Sequence, residues 1–314
     1  DSSAPPLLEP TQNSEAPKKI FTPFPKDLPP PGPPAFKMPF YYDAVSFMWV
    51  FYRAPLTTLK RYLKGTGLEP ARFTDCEKDG IVSLNFQLYL SNLGMALTSV
   101  QEVEFNIHSY PKSKEKETPL LSFEDYMIGQ EQTKWIGGFR LHVPADDPIA
   151  VEAGQLVFGE RKFATKFEFN IPVPNNPTQK KWHYSVFDPA YDPKKGKPKP
   201  SDKIYTIDAD IASLPQPIMG NLSPLTLYSQ LPGGPDLPPS KGGRLNASRW
   251  NIQGLYPTWF NPKRTAVKLS IGKSEHPMRQ DLETLIGKNA PVAIRIRQSP
   301  PAAIENRAFW VEPT

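Results

Sequence analysis

Three charged residues, Glu160, Arg161 and Lys162, stand side by side in EAGQLVFGERKFATKFEF (residues 152–169), between two apolar runs. A lysine among Phe158, Phe163 and Phe167 has two readings. It can be a surface residue whose stem lies on apolar neighbours while its ammonium stays in water. It can also be buried, and then desolvation disfavours the charged form and leaves an amine able to attack a carbonyl carbon. Strand alternation puts Glu160 on the same face as Lys162 and Arg161 on the other. Glu160 is then an acid/base partner or an ion-pair neutraliser of the lysine. The residues alone leave both readings open.

The elements that must position this segment are mostly strands. AVSFMWVFYRAP (44–55) is a dense apolar and aromatic strand, and PLTTLKRYL (55–63) a short amphipathic helix that Pro55 opens and Gly65 ends. Residues 80–94, 98–110 and 135–147 follow as strands. DDPIAVEAGQLVF reads as a short helix capped by Asp146 or Asp147. Beyond Lys162, strands are expected at 166–174, 181–189 and 203–212, and again in PLTLYSQLPGG, ASRWNIQGLYPTW, AVKLSIG and PVAIRIRQSP. Many strands with two or three short helices describe an α+β domain built on a highly curved or closed antiparallel sheet. No internal repeat is visible.

Two segments stand apart. Residues 1–39 are a Pro-rich arm of polyproline and turns, of which residues 20–39 are expected to pack along the body or across a boundary between copies in a homo-oligomer. Residues 40–314 form the domain, with a loop-rich region around 213–248. DPKKGKPKP (192–200) reads as a solvated loop.

Composition narrows the function classes. The chain has 314 residues, 39 of them proline, which disfavours long helices. The net charge of +5 is spread without a basic stripe or recognition motif, so no nucleic-acid partner is expected. No apolar run reaches the length of a membrane span. The single cysteine, Cys76, excludes an internal disulfide, and the four histidines lack zinc spacing, so no metal and no cofactor are expected. There is no nucleophile elbow, P-loop or dinucleotide fingerprint. DSSAPPLLEPTQNSEAPKK reads as the start of an exported chain, and the NAS triplet at Asn246 is compatible with secretion, so export is expected over a cytoplasmic location.

Three ordered stretches resemble the acetoacetate decarboxylase superfamily: FMWVFYRAPLTTLKRYL with KGTGLEP, then SVQEVEF, then LHVPADDPIAVEAGQLVFGERKFATKF. The likeness covers most of residues 40–170; further on, AVKLSIGKSEHPMRQDLETLIG resembles the family's late strand and Pro-Leu segment. The resemblance implies an acetoacetate decarboxylase-like β-barrel. It implies that Lys162 is the Schiff-base lysine, Arg53 the arginine that holds a substrate carboxylate, and Glu102 an active-site acid. Two positions depart from the pattern. Asn85 stands where a further glutamate is expected, and Phe163 where a second lysine follows the first; both are taken as substrate-binding.

These roles imply a Schiff-base-forming lyase acting on a small carboxylate or carbonyl substrate such as a keto acid, by decarboxylation or by aldol or dehydration chemistry. Acetoacetate decarboxylase is itself the standard example of a lysine activated by desolvation or by a cationic neighbour, and Phe163 removes such a cation here. The alternative is a non-catalytic binding or interaction protein on the same fold, with Lys162 ion-paired to Glu160.

Overall fold

The structure is a computed structural model that describes residues 36–92, 97–173, 178–232, 243–299, 303–305 and 308–311. The arm expected over residues 1–39 lies outside the described residues up to 35. Its described end is anchored: Phe36 is buried and meets the ring of Phe40 edge-on, with centroids 6.5 Å apart.

The chain opens with β1 (Phe40–Pro55), α1 (Leu56–Tyr62), β2 (Leu68–Pro70), β3 (Asp79–Asn92), β4 (Leu97–Pro111), α2 (Phe123–Ile128) and β5 (Gly137–Ala145). Helix α3 (Pro148–Ala153) continues into a single π-helical turn, Gly154–Phe158, and then come β6 (Lys162–Ala164) and β7 (Phe167–Asn170). After these follow β8 (Trp182–Phe187), β9 (Lys203–Ala209), β10 (Ile218–Gly220), β11 (Leu225–Leu231), β12 (Arg244–Ile252), β13 (Tyr256–Phe260) and β14 (Val267–Ile271). The last elements are α4 (Pro277–Leu285), β15 (Pro291–Ser299), β16 (Ala303–Glu305) and β17 (Phe309–Trp310). The expected strands are present. ASRWNIQGLYPTW contains two of them, β12 and β13, because Gly254 takes a positive φ of 94° between them. Helices α2 and α4 are additions to the expected set; α4 occupies the segment read as a late Pro-Leu stretch.

Thirteen strands form one sheet in the order β10-β13-β15-β1-β16-β12-β11-β5-β4-β2, with β3 on β1 and β4, β6 on β5 and β17 on β12. The sheet curls strongly, and three residue pairs of β16 join it to the start of β1. It does not close into a regular barrel, since β10 and β2 remain as edges. Nor is it wholly antiparallel: β5 runs parallel to both β6 and β11. A second sheet, β14-β9-β8-β7, covers the outer face.

Alternation along the long strands supplies two cores. Phe47, Trp49 and Phe51 face the inside of the curl with Tyr256 and Phe123. Met48, Val50 and Tyr52 face outward, against Tyr184, Ile207 and Leu282 of the second sheet and α4. Burial on both faces explains why 44–55 reads as an unbroken apolar run. The loop at 192–200 is exposed, as expected of DPKKGKPKP. Asn246 is not a glycan acceptor in the folded chain: it is buried in β12, and its Nδ2 donates to the Phe158 carbonyl at 3.0 Å. No helix among the described residues is long and apolar enough to cross a membrane.

Candidate active site

Lys162 opens β6, and its placement begins with the helix before it. Asp147 caps α3, its Oδ1 accepting from the Ala150 N–H at 2.8 Å, and Pro148 fits the first helical position. The π turn that follows brings Gly154 against the lysine. A Cβ at Gly154 would lie 2.3 Å from Glu160 Oε2 and 2.4 Å from Lys162 Cδ, so only glycine allows this approach. Gly159 ends the turn at φ 75°, a conformation that favours glycine, and delivers Glu160 and Lys162 to the inner face. Arg161 faces away, donating from Nη1 to the Leu141 carbonyl at 3.1 Å.

The amine of Lys162 is buried inside the curl. Its Nζ lies 2.5 Å from Glu102 Oε2 and 3.2 Å from Glu160 Oε2. Glu102 comes from β4, where Glu104, Asn106 and His108 follow at steps of two on the same face. Arg140 of β5 stands at the centre of the remaining carboxylates. Its Nε is 3.3 Å from Glu104 Oε1, its Nη2 3.1 Å from Glu305 Oε1, and its Nη1 is paired with Glu160. The hydroxyl of Tyr89 donates to Glu102 Oε2 at 2.8 Å, and that of Tyr42 to Glu305 Oε2 at 3.2 Å. Asn106 Nδ2 donates to Glu104 Oε2 at 2.9 Å.

Apart from Asn106 and His108, these groups line a cavity of about 20 Å³, the room of roughly one water. Phe40, Phe158, Gln87, Gly154 and Trp250 also line it. All six ionisable partners, four carboxylates and two cations, are 5 % exposed or less. Burial of charge at this density is sustained only by mutual pairing.

The electrostatics follow from that pairing. Burial by itself would push the Lys162 amine down, but Glu102 and Glu160 outweigh it and hold the ammonium well above its ordinary range. Burial and the neighbouring Glu160 push Glu102 up, against the pull of Lys162. Burial pushes Glu104 up to about 7 although Arg140 opposes it. Glu160 goes the other way: despite burial, Arg140 and Lys162 together keep its carboxyl below the usual range. The site therefore holds carboxylates of opposite tendency, one fixed as an anion and two inclined to carry a proton.

Of the residues singled out in the sequence, Lys162, Glu102 and Glu160 converge. Arg53 does not. It shares the inner face of β1, but it lies at the far end of the strand from Tyr42, roughly 35 Å along the chain at ~3.3 Å per residue. There it pairs with Asp75 at 2.9 Å on the surface. Phe163 is not in the cavity either. Alternation turns it outward onto the ring of His276, with centroids 4.5 Å apart. Asn85 lies on the inner face of β3 opposite Glu104, fully buried, with no hydrogen-bond partner for either amide atom among the described residues, but it does not reach the cavity wall.

Sequence reasoning missed Arg140, Glu104 and Glu305. Glu104 had a signal, since it follows Glu102 by two in an alternating strand. Arg140 also had one, as the single charge inside GGFRLHV. Glu305 had none, because a position 263 residues from its partner Tyr42 is set by the closing fold alone.

No protein-family model and no curated protein matches the chain. Solved structures do. It is similar to the enduracididine biosynthesis enzyme MppR complexed with pyruvate, at 10% identity and a TM-score of 0.56, over 88% of this chain and 91% of that one. It is similar to an acetoacetate decarboxylase-like enzyme from Sphingomonas wittichii RW1, at 12% identity and TM-score 0.55, over 87% and 92%. A third is acetoacetate decarboxylase from Legionella pneumophila subsp. pneumophila str. Philadelphia 1, at 11% identity and TM-score 0.56, over 98% of both chains. Identities this low carry the architecture and not the chemistry, and on that likeness the chain has the acetoacetate decarboxylase-like fold.

Proposed function

We propose that the protein is a Schiff-base-forming lyase in which Lys162 condenses with a small carbonyl compound. The observation that carries this reading is the contact between the buried Lys162 amine and Glu102, a carboxylate whose own tendency is to take up a proton. An ammonium cannot attack a carbonyl; it must first give up a proton, and Glu102 at 2.5 Å is placed to take it.

Lys162 passes one proton to Glu102, and the freed nitrogen pair forms a bond to the carbonyl carbon while the C=O π pair moves to oxygen. That oxygen takes one proton released by the nitrogen and a second from Glu102, and leaves as water. The nitrogen pair closes the C=N bond, giving a protonated imine and restoring Glu102 as a carboxylate. The imine then accepts the electron pair released when an adjacent bond breaks. Glu160 stays anionic beside Arg140 and supports the cationic imine, as neighbouring charge should in a water-poor site.

Borohydride reduction in the presence of carbonyl compounds tests this. The expected result is a covalent mass increase on the peptide bearing Lys162, absent in Lys162→Met. Lack of an adduct with a broad set of aldehydes and ketones up to pH ~9 would leave the second reading, a non-catalytic binding protein. That reading is favoured by the strength with which two carboxylates hold Lys162 as an ammonium.

A further inference from the structure

The wall around Lys162 holds two more acidic groups than basic ones, and both cations are already engaged. Arg140 is met by Glu104, Glu160 and Glu305, and Lys162 by Glu102 and Glu160. A substrate carboxylate placed here would need a cation, and it would find four carboxylates in the wall instead. The arginine expected to receive it, Arg53, is on the surface with Asp75.

The wall does offer a neutral donor. Trp250 is buried and lines the cavity, and among the described residues its indole Nε1–H has no hydrogen-bond partner. A buried donor left unpaired is costly, and an oxygen acceptor arriving in the cavity satisfies it without bringing charge.

From these contacts we infer that the substrate is a carbonyl compound carrying no carboxylate, with an uncharged oxygen accepting from Trp250. The inference rests on imine formation at Lys162 and narrows it: aldol or dehydration chemistry fits, and decarboxylation of a keto acid does not. The prior pairing of both cations is the selecting element, since a further anion would have to displace one of the carboxylates that hold them in a desolvated site. The phenols of Tyr42 and Tyr89 sit against the same carboxylates. Burial first, and then Glu305 for Tyr42 and Glu102 for Tyr89, keep both well above the ordinary phenol range.

The test compares acids with their own methyl esters: pyruvate with methyl pyruvate, and acetoacetate with methyl acetoacetate. Each is trapped by borohydride on the wild-type protein, and each yield is divided by the adduct the same compound gives with n-butylamine. The expected result is at least tenfold more Lys162 adduct with the ester of each pair. Equal or greater adduct with the acids overturns the inference and leaves the Schiff-base reading standing. No adduct with any of the four overturns both.

Two variants sharpen the outcome. Glu305→Gln takes one carboxylate from Arg140, and the acid should gain several-fold relative to the ester. Trp250→Phe keeps the ring and removes the donor. Its half-saturating concentration for methyl pyruvate should rise several-fold with the maximal adduct unchanged, and an unmoved half-saturation would remove Trp250 from the assignment.

Discussion

Lys162 Nζ and Glu102 Oε2 meet at 2.5 Å across β5, although their strands are not neighbours. Glu102 pairs with Ala145 on one side of β5, and Lys162 with Val143 on the other. Two strand spacings of ~4.8 Å separate the backbones, and two long side chains close the gap over the inner face. Any change that shifts β6 against β5 therefore moves the amine away from its proton acceptor. The pair is only as accurate as the turn that delivers Lys162.

That dependence makes Gly154 the sharpest single position. A methyl there meets Glu160 Oε2 and the Lys162 stem well inside van der Waals contact. Ordinarily Gly→Ala within a helical turn is neutral to stabilising. Here Gly154→Ala should lower Lys162 adduct formation at least tenfold while the circular dichroism spectrum stays that of the wild type. Wild-type trapping rates in this variant would show that the lysine does not depend on the approach.

The pH dependence of stability should carry the mark of Glu104. Its folded value is pushed up to about 7, above the unfolded carboxylate. The folded chain thus holds a proton that the unfolded chain has released, and Glu104 contributes stability below pH ~4.3 that is lost as pH rises through ~7. The full loss is ~4 kcal/mol, at 1.36 kcal/mol per unit. Two buried imidazoles act in the opposite sense. Burial pushes His108 down to about 3 and His142 down to about 4, so stability falls as pH drops below ~6.5. The wild-type profile is the sum, and the difference from Glu104→Gln isolates the carboxyl. Urea unfolding at pH 5 and pH 8 should show the variant losing less stability, or gaining more, across that interval than the wild type. Parallel profiles would mean that Glu104 titrates normally.

Arg53 gives a control outside the site. Its ion pair with Asp75 is partly exposed, so Arg53→Ala should cost ~0–1 kcal/mol and leave trapping at Lys162 unchanged. Asp75→Ala should cost more, because Asp75 Oδ1 also accepts from the Phe123 N–H at 2.9 Å, at the head of α2. A large loss of adduct in Arg53→Ala would return that arginine to the site.

The contrast between these residues says what the sequence could carry. Hydrophobic runs and turn residues made the strands legible, and a cap at Asp146 or Asp147 with helical apolar spacing made the helix before Lys162 legible, because each acts within a few residues. Alternation correctly put Glu160 with Lys162 and Arg161 opposite. The resemblance assigned Arg53 to the site, but neither it nor alternation could say which end of a sixteen-residue strand faces the lysine. The curl of the sheet, the parallel pairing of β5 and the arrival of Glu305 depend on contacts between distant segments, and no local pattern encodes them. The regular barrel implied by the resemblance failed at the same level, in strand order and not in strand identity.

Glu160 is the residue at which the two readings of the lysine diverge most. It binds both cations of the cavity, sitting 3.2 Å from Lys162 and paired with Arg140. Replacing it with Gln removes one of the two charges that hold Lys162 as an ammonium, and burial then pulls the amine toward neutrality. Adduct formation at pH 7 should rise several-fold over the wild type. The same change leaves Arg140 with Glu104 and Glu305 and breaks part of a buried ionic network, at a cost of ~3–5 kcal/mol in unfolding free energy. A faster imine in a less stable protein is therefore the expected pair of results. If Glu160→Gln instead lowers stability with no adduct in either form, Lys162 is a structural cation and the cavity binds its ligand without covalent chemistry. If adduct forms faster but turnover of that adduct stops, Glu160 is itself the proton carrier of the later step. Borohydride trapping and the decay of the unreduced imine, followed in one protein preparation beside a urea curve, separate the three outcomes.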